Sequence, residues 1–290
     1  MANAGAWLAP YAFILLWSSS FVTARVGLTL VSPLFFVAVR LVAATALLGL
    51  VLAVRRQPLA PLRGRWHHLA LAGVLVNGIT LSAFHVGMVT ENVAVMALMQ
   101  TLSPMLIAVS AVPLLGERLS PRQWLGLTLG AVGVVLVVAP RALEGPAAWG
   151  AVRLGFVGAA SLAAGTVYFG RFGRDVPLVP ATAVQLGAAA ILTVALTIVF
   201  EHPHAVWTFP AMASVAWNVL AVSVGAMALY YYMLSHGTAG RVAANFYLIP
   251  GTVALLGWAL LGESLTLLAA LGFAVASVGV FLVARRQPEE

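Results

Sequence analysis

The chain has 290 residues, of which 62% are hydrophobic and only 8% charged, with a formal net charge of +7 and no cysteine. Soluble domains carry about 25% charged residues, so this chain lacks the polar surface needed in water and is read as an integral membrane protein. The missing cysteines exclude disulfides, thiolate-held metal centres and a thiol nucleophile; the positive excess is all arginine and is read as loop charge that orients a membrane protein, not as a nucleic-acid surface.

In chain order, the first apolar run has no Lys or Arg ahead of it and continues through Trp17-Ser18-Ser19-Ser20 without a small-residue cleavage site. It is therefore expected to stay as a spanning helix and not to act as a signal peptide. A crossing needs about 20 apolar residues. That rule predicts ten helices, near 7–24, 32–54, 67–88, 92–115, 122–140, 152–170, 178–200, 209–234, 240–261 and 265–284. Ser32-Pro33, Ser120-Pro121 and Val179-Pro180 mark helix starts, because proline in the first turn sacrifices no hydrogen bond.

The sequence repeats itself. Leu114–Val138 falls on Leu260–Ala284 without a gap at a shift of 146, so that Leu114-Leu115-Gly116-Glu117 meets Leu260-Leu261-Gly262-Glu263. In the same register Gly126 meets Gly272, Gly133 meets Gly279 and Pro104 meets Pro250. A neighbouring register, 145, sets Ala38–Ala44 on Ala183–Ala189. The expected organisation is two copies, 1–145 and 146–290, of five helices each. An odd number makes the second copy enter the membrane from the opposite side, which gives the inverted repeat common in transporters. The fold expected is thus all-α and polytopic. With both termini in the cytoplasm, eleven arginines lie inside, and Arg25, Arg141 and Arg153 lie outside. That bias fits the positive-inside rule.

These features together resemble the drug/metabolite transporter superfamily, specifically its ten-helix EamA branch. The resemblance rests on Trp17-Ser18-Ser19-Ser20-Phe21, Pro33 with Arg40, Pro104 with Leu115-Gly116-Glu117, Pro250 with Leu261-Gly262-Glu263, and the Gly-rich last helix. Trp17-Ser18 stands where the family often has Trp-Gly. The resemblance implies small-metabolite transport, often export of amino acids or related compounds across the bacterial cytoplasmic membrane.

Polar groups at membrane depth tend to mark pathways. Arg40 can hold a carboxylate or play a packing role; neutral Gln185 at the equivalent position favours the packing role. Asn77, Thr80 and Phe84 cluster on one side of the third helix, with His85 adjoining. For Asn77 and Thr80, a cavity and interhelical hydrogen bonds are equally good readings. Phe84 and His85 lean toward a cavity, because Tyr230 and Tyr231 stand opposite them in the second copy. Trp17, Gln100, Asn245 and Tyr247 complete the expected substrate-binding set. Pro104 and Pro250 are candidate hinges, each crowding the carbonyl four residues earlier. Glu117 and Glu263 are assigned a capping role at helix ends.

No catalytic set, phosphate-cradling motif or metal-ligand spacing is found, and His67, His68, His202 and His204 are placed in loops. No enzyme, cofactor or metal is therefore expected. The expected partners are a small-molecule substrate and the lipid bilayer, not nucleic acid. The leading function is a secondary exporter of small metabolites. An organophosphate or nucleotide-sugar exchanger of the same superfamily is the alternative, and a polytopic membrane enzyme is the more remote one.

Overall fold

The computed structural model describes residues 4–57, 62, 64–115, 120–143, 145–172, 176–226, 229, 233, 248–264 and 266–284. Its helices are α1 (Ala4–Leu28), α2 (Pro33–Val54), α3 (Trp66–Thr90), α4 (Val93–Gln100 continuing as Leu102–Leu115) and α5 (Pro121–Ala142). The second half follows with α6 (Pro146–Phe172), α7 (Leu178–Phe200), α8 (Phe209–Ala226), α9 (Ile249–Leu261) and α10 (Leu267–Ala284). The first eight are long and apolar enough to cross a membrane, and α9 and α10 add shorter apolar helices. Among the described residues the one extended pairing is an isolated bridge between Val31 and Ala205.

Several boundaries differ from the sequence reading. The sixth helix opens at Pro146, six residues ahead of the expected 152, because proline at the first helical position is pre-set for the turn. The seventh spans Leu178–Phe200 as expected, with Pro180 inside its first turn. His67 and His68 belong to the first turn of α3, not to a loop. The His68 ring stacks on Phe172 at 4.5 Å, and its Nδ1 lies 2.6 Å from the Tyr168 hydroxyl.

Two helices change pitch partway. Val74–Ile79 in α3 and Asn218–Ala226 in α8 are π-helical, and the 146-residue register sets one on the other. A π stretch leaves a carbonyl short of its usual partner, and hydroxyls fill the gap here. The Leu75 carbonyl accepts from Thr80 Oγ1 at 2.8 Å and from Ser161 Oγ at 2.9 Å, while the Asn218 carbonyl accepts from Ser223 Oγ at 3.0 Å. The fourth helix is interrupted instead. Thr101 donates its N–H to Leu98 at 2.9 Å, three residues back, and Pro104 follows with no N–H to offer Gln100.

The halves interlock. The first helix of each half packs on the third and fourth of the other, α1 on α8 and α9, and α6 on α3 and α4, while α2 lies along α7. The most extensive contact is the crossing of α5 and α10. There a Cβ on Gly133 would stand 2.6 Å from the Gly272 carbonyl oxygen, and one on Gly279 would stand 2.5 Å from that of Gly126. Since Gly126 and Gly133 are the copies of Gly272 and Gly279, these two contacts are one contact repeated about a two-fold axis. Small residues permit such backbone approach between membrane helices.

A cavity between the halves

Helical faces from both halves meet around a cavity of about 400 Å³. The first half contributes Trp17, Ser20 and Phe21 from α1, Arg40 from α2, Asn77, Thr80, Phe84 and His85 from α3, and Gln100 from α4. The second contributes Thr166 and Phe169 from α6, Thr182 and Gln185 from α7, and Ser223 from α8. Of the residues singled out from sequence, Trp17, Arg40, Asn77, Thr80, Phe84, His85 and Gln100 are brought together here. Tyr230, Tyr231, Asn245 and Tyr247 lie outside the described residues. Pro104 and Pro250 are not among the lining residues, and Pro250 sits in the first turn of the described part of α9.

Local structure fixes each group. Trp17 is tilted against Phe13 with ring centroids 5.6 Å apart. Thr80 Oγ1 faces Gly158 O at 3.2 Å as well as its own helix, and Phe84 packs where Gly158 has no side chain, a Cβ there standing 3.0 Å from its ring. His85 stacks on Phe36 at 5.6 Å and donates from Nδ1 to the Leu81 carbonyl at 2.7 Å, which leaves its Nε2 buried without a partner. The three serines of α1 diverge. Ser18 is fully buried, Ser19 bonds back to Leu16 and accepts from Trp217 Nε1 at 2.8 Å, and only Ser20 reaches the cavity.

Arg40 is held by a group that the sequence reading did not single out. Its Nη1 donates to Asn218 Oδ1 at 2.8 Å, and the Asn218 amide is in turn fixed by donating to Thr23 Oγ1 and Ser214 O, both at 3.0 Å. Ser214 Oγ also donates to the Thr23 carbonyl. This network joins α1, α2 and α8, and the Arg40 Nε within it has no partner. A lone asparagine in the apolar run Val215–Val222 was the available signal, by the same depth rule that found Arg40. Among the described residues, no three His, Asp or Glu side chains gather to hold a metal ion.

At one end of the helices, bonds join the two halves. Ser32 N donates to His204 O at 3.0 Å, and Val206 N donates to Leu30 O at 2.9 Å beside the Val31–Ala205 bridge. Glu201, at the end of α7, accepts from Leu34 N at 3.1 Å and Phe35 N at 2.8 Å, and so caps α2. Glu263, at the end of α9, accepts from Val93 N at 3.0 Å and caps α4. Carboxylates suit these positions because a helix N-terminus presents unpaired N–H groups and a positive dipole end. The capping expected of Glu263 is therefore real, but it acts on a helix of the other half. Glu117, its copy, lies outside the described residues. Toward the opposite end, the cavity follows α6 and α7 to Phe169 and Thr182, within a turn of the ends of those helices.

The chain is similar over nearly its whole length to known membrane proteins. It is 28% identical over 279 residues to the uncharacterized inner membrane transporter YedA of Escherichia coli K12, covering 95% of this chain and 89% of that one. An uncharacterized transporter of Archaeoglobus fulgidus is 26% identical over 286 residues, covering 94% and 95%. A solved crystal structure superposes with a TM-score of 0.67 over 97% of this chain and 96% of the other, at 22% identity, a likeness of fold. The EamA-like transporter family matches twice, at residues 4–139 and 149–285. With the family found once in each half of a ten-helix membrane fold, the chain belongs to the EamA-like transporters of the drug/metabolite transporter superfamily.

Proposed function

We propose that the protein is a secondary transporter, not an enzyme, that exports small metabolites, amino acids or related compounds foremost, across the cytoplasmic membrane by alternating access. The observation that carries this reading is a cavity walled by both halves, which are latched together at one end of the helices. A site at a repeat interface becomes exposed to each side in turn when the halves rock. The arginine bias assigns the end bearing both termini to the cytoplasm, so the latched end faces outward. The described acids Glu91, Glu201 and Glu263 lie beyond the helix ends, and the sequence sets no Asp or Glu mid-helix, so this reading gives no role to a carboxylate at membrane depth in obligatory proton coupling. A cavity whose described lining contains a single arginine also suits a carboxylate better than a phosphate, which argues against the organophosphate exchanger.

Flux of radiolabelled amino acids from proteoliposomes, with and without a pH gradient, tests the function. Protein-dependent flux that persists without the gradient is expected. Flux no faster than in empty liposomes across an amino-acid panel refutes the exporter. Reporter fusions at Glu144 and Glu290 should report opposite sides of the membrane, and the same side for both refutes the orientation.

A further inference from the structure

Among the described residues, no acidic side chain pairs with the charge of Arg40. The arginine is seven residues into α2 and 7% exposed, which at 1.5 Å per residue places it about 10 Å from the helix start. Among the described residues the acidic side chains are Glu91, Glu201 and Glu263, and all three lie beyond the helix ends. Glu201 and Glu263 are engaged with backbone N–H groups. Among the described residues the guanidinium hydrogen-bonds to the neutral Asn218, and its Nε has no partner. A guanidinium offers five N–H donors in a planar fork suited to a carboxylate. Burying such a cation is costly unless an anion joins it.

The cavity beside it is asymmetric in charge. Gln185 holds the position equivalent to Arg40 and lines the same cavity as a neutral amide. The remaining described lining groups are amides, hydroxyls, aromatic rings and apolar side chains such as Val76, Leu81, Met88 and Leu186, with no acid to receive an ammonium. His85 offers a carboxylate no donor, since its Nδ1–H is engaged with Leu81 and its Nε2 is left as an acceptor.

We propose that the cavity recognises its substrate by one carboxylate bound to Arg40, with Asn218 as the residue that positions the guanidinium, and that the substrate's amino group is dispensable. The substrate class is a monocarboxylate with an apolar body. A 2-oxo acid is accepted in place of the amino acid of the same skeleton, and the amine lacking the carboxylate is rejected. This rests on the transport reading above, but narrows it by charge. The buried charge that looked like a packing element in the sequence is then the selectivity element.

The test uses the full chain in proteoliposomes, with phenylalanine, phenylpyruvate and phenethylamine as probes. Binding is read as protection of a single cysteine, Gln100→Cys, from a water-soluble maleimide, and transport as counterflow of label. Both acids should protect and exchange, and the amine should do neither. Arg40→Gln should raise the protecting concentration of both acids by roughly 10- to 100-fold, the loss expected for hydrogen bonds to a charged group. Asn218→Asp is the discriminating variant. It gives Arg40 an internal counter-ion, so a purely structural arginine keeps or gains stability with acid binding unchanged. The proposal instead requires acid binding to weaken while the protein stays folded.

Protection by the amine equal to that by the acids overturns the proposal, as does unaltered acid binding in a folded Asn218→Asp protein. Protection by the acids without flux upholds the carboxylate site and removes the exporter. Flux of amines without protection by acids does the reverse, and absence of both removes both.

Discussion

The α5–α10 crossing and the cavity wall descend from the same duplication, yet they have kept different things. At the crossing the close-approach glycines are identical in the two copies, Gly126 with Gly272 and Gly133 with Gly279, with only Gly130 against Ala276 differing among the residues they meet there. Around the cavity Val76 and Val222 are alike, but the polar lining differs between the copies, Arg40 against Gln185 and Asn77 against Ser223, and in sequence Phe84 and His85 stand against Tyr230 and Tyr231. A backbone contact on a two-fold axis demands the same residue from both partners, because each is the other's neighbour. A small substrate has no two-fold symmetry, so the groups that surround it gain nothing from being alike. Symmetry is therefore a property of the frame, and asymmetry is where specificity is expected.

The largest effect should come from breaking the frame. Gly133→Val puts three carbons where backbone atoms of Gly272 and Ala276 already stand, and backbone cannot step aside as a flexible side chain can. Overpacking of this kind costs about 3 kcal/mol, so a markedly lower melting temperature in detergent or a loss of monodisperse protein is expected. Gly279→Val should do the same to a similar degree, since it repeats the contact. Gly150→Ala, at a helical position with open space around it, should be neutral or slightly stabilising. A clear difference between the first two variants would mean that the crossing is not two-fold.

Next in size are the caps at the latched end. Glu201→Ala removes acceptors from two N–H groups of α2, and Glu263→Ala removes one from α4. Losing a cap costs about 1–2 kcal/mol, and Glu201→Ala should lie at the upper end. The same variant should speed maleimide labelling of a cysteine placed at Ser32, because the cap holds the halves together there. Equal melting temperatures and unchanged labelling would show that these carboxylates merely rest on the helix ends.

Most of the frame was legible in the sequence. The ungapped repeat, the proline starts and the apolar lengths placed ten helices and paired them. Wheel positions grouped Asn77, Thr80, Phe84 and His85, and these do line one cavity. Three features were not legible. A π stretch alters the angular step, so 100° per residue does not carry a face across Val74–Ile79. The α6 and α7 wall is built from Thr166, Phe169, Thr182 and Gln185, whose faces become a wall only when α6 and α7 pack on α3 of the other half. Glu201 caps a helix 167 residues earlier; sequence shows a carboxylate at a helix end but not which N-terminus the fold delivers to it.

The π stretches provide a smaller test. Thr80→Val keeps the shape and removes one of two hydroxyls on the Leu75 carbonyl, at a cost of about 0.6 kcal/mol. Ser161→Ala alone should cost about as much. The two together should cost more than their sum, because only the double variant leaves that carbonyl unpaired. In α8, Ser223→Ala removes the single hydroxyl on the Asn218 carbonyl and should behave like the double variant. Strict additivity in α3 would show that the hydroxyls are bystanders to the change in pitch.

The smallest effect on stability, and a sharper one on rate, is expected at the prolines. Both copies of the fourth helix carry one, but their described settings differ. Pro104 lies three residues past a break at Thr101, and the Gln100 carbonyl has no N–H from it, beside a side chain that lines the cavity. Pro250 lies in the first turn of the described α9, where a proline leaves no bond unmade. Pro104→Ala restores the donor, lets α4 run through the break and removes a soft point next to the cavity. Folded stability should change by no more than about 0.5 kcal/mol, while counterflow slows severalfold at unchanged affinity. Pro250→Ala should alter both less. Equal slowing by the two would mean that both prolines are hinges and that the repeat governs motion as it governs the frame. No slowing by Pro104→Ala would make the break in α4 a fixed bend that shapes packing alone.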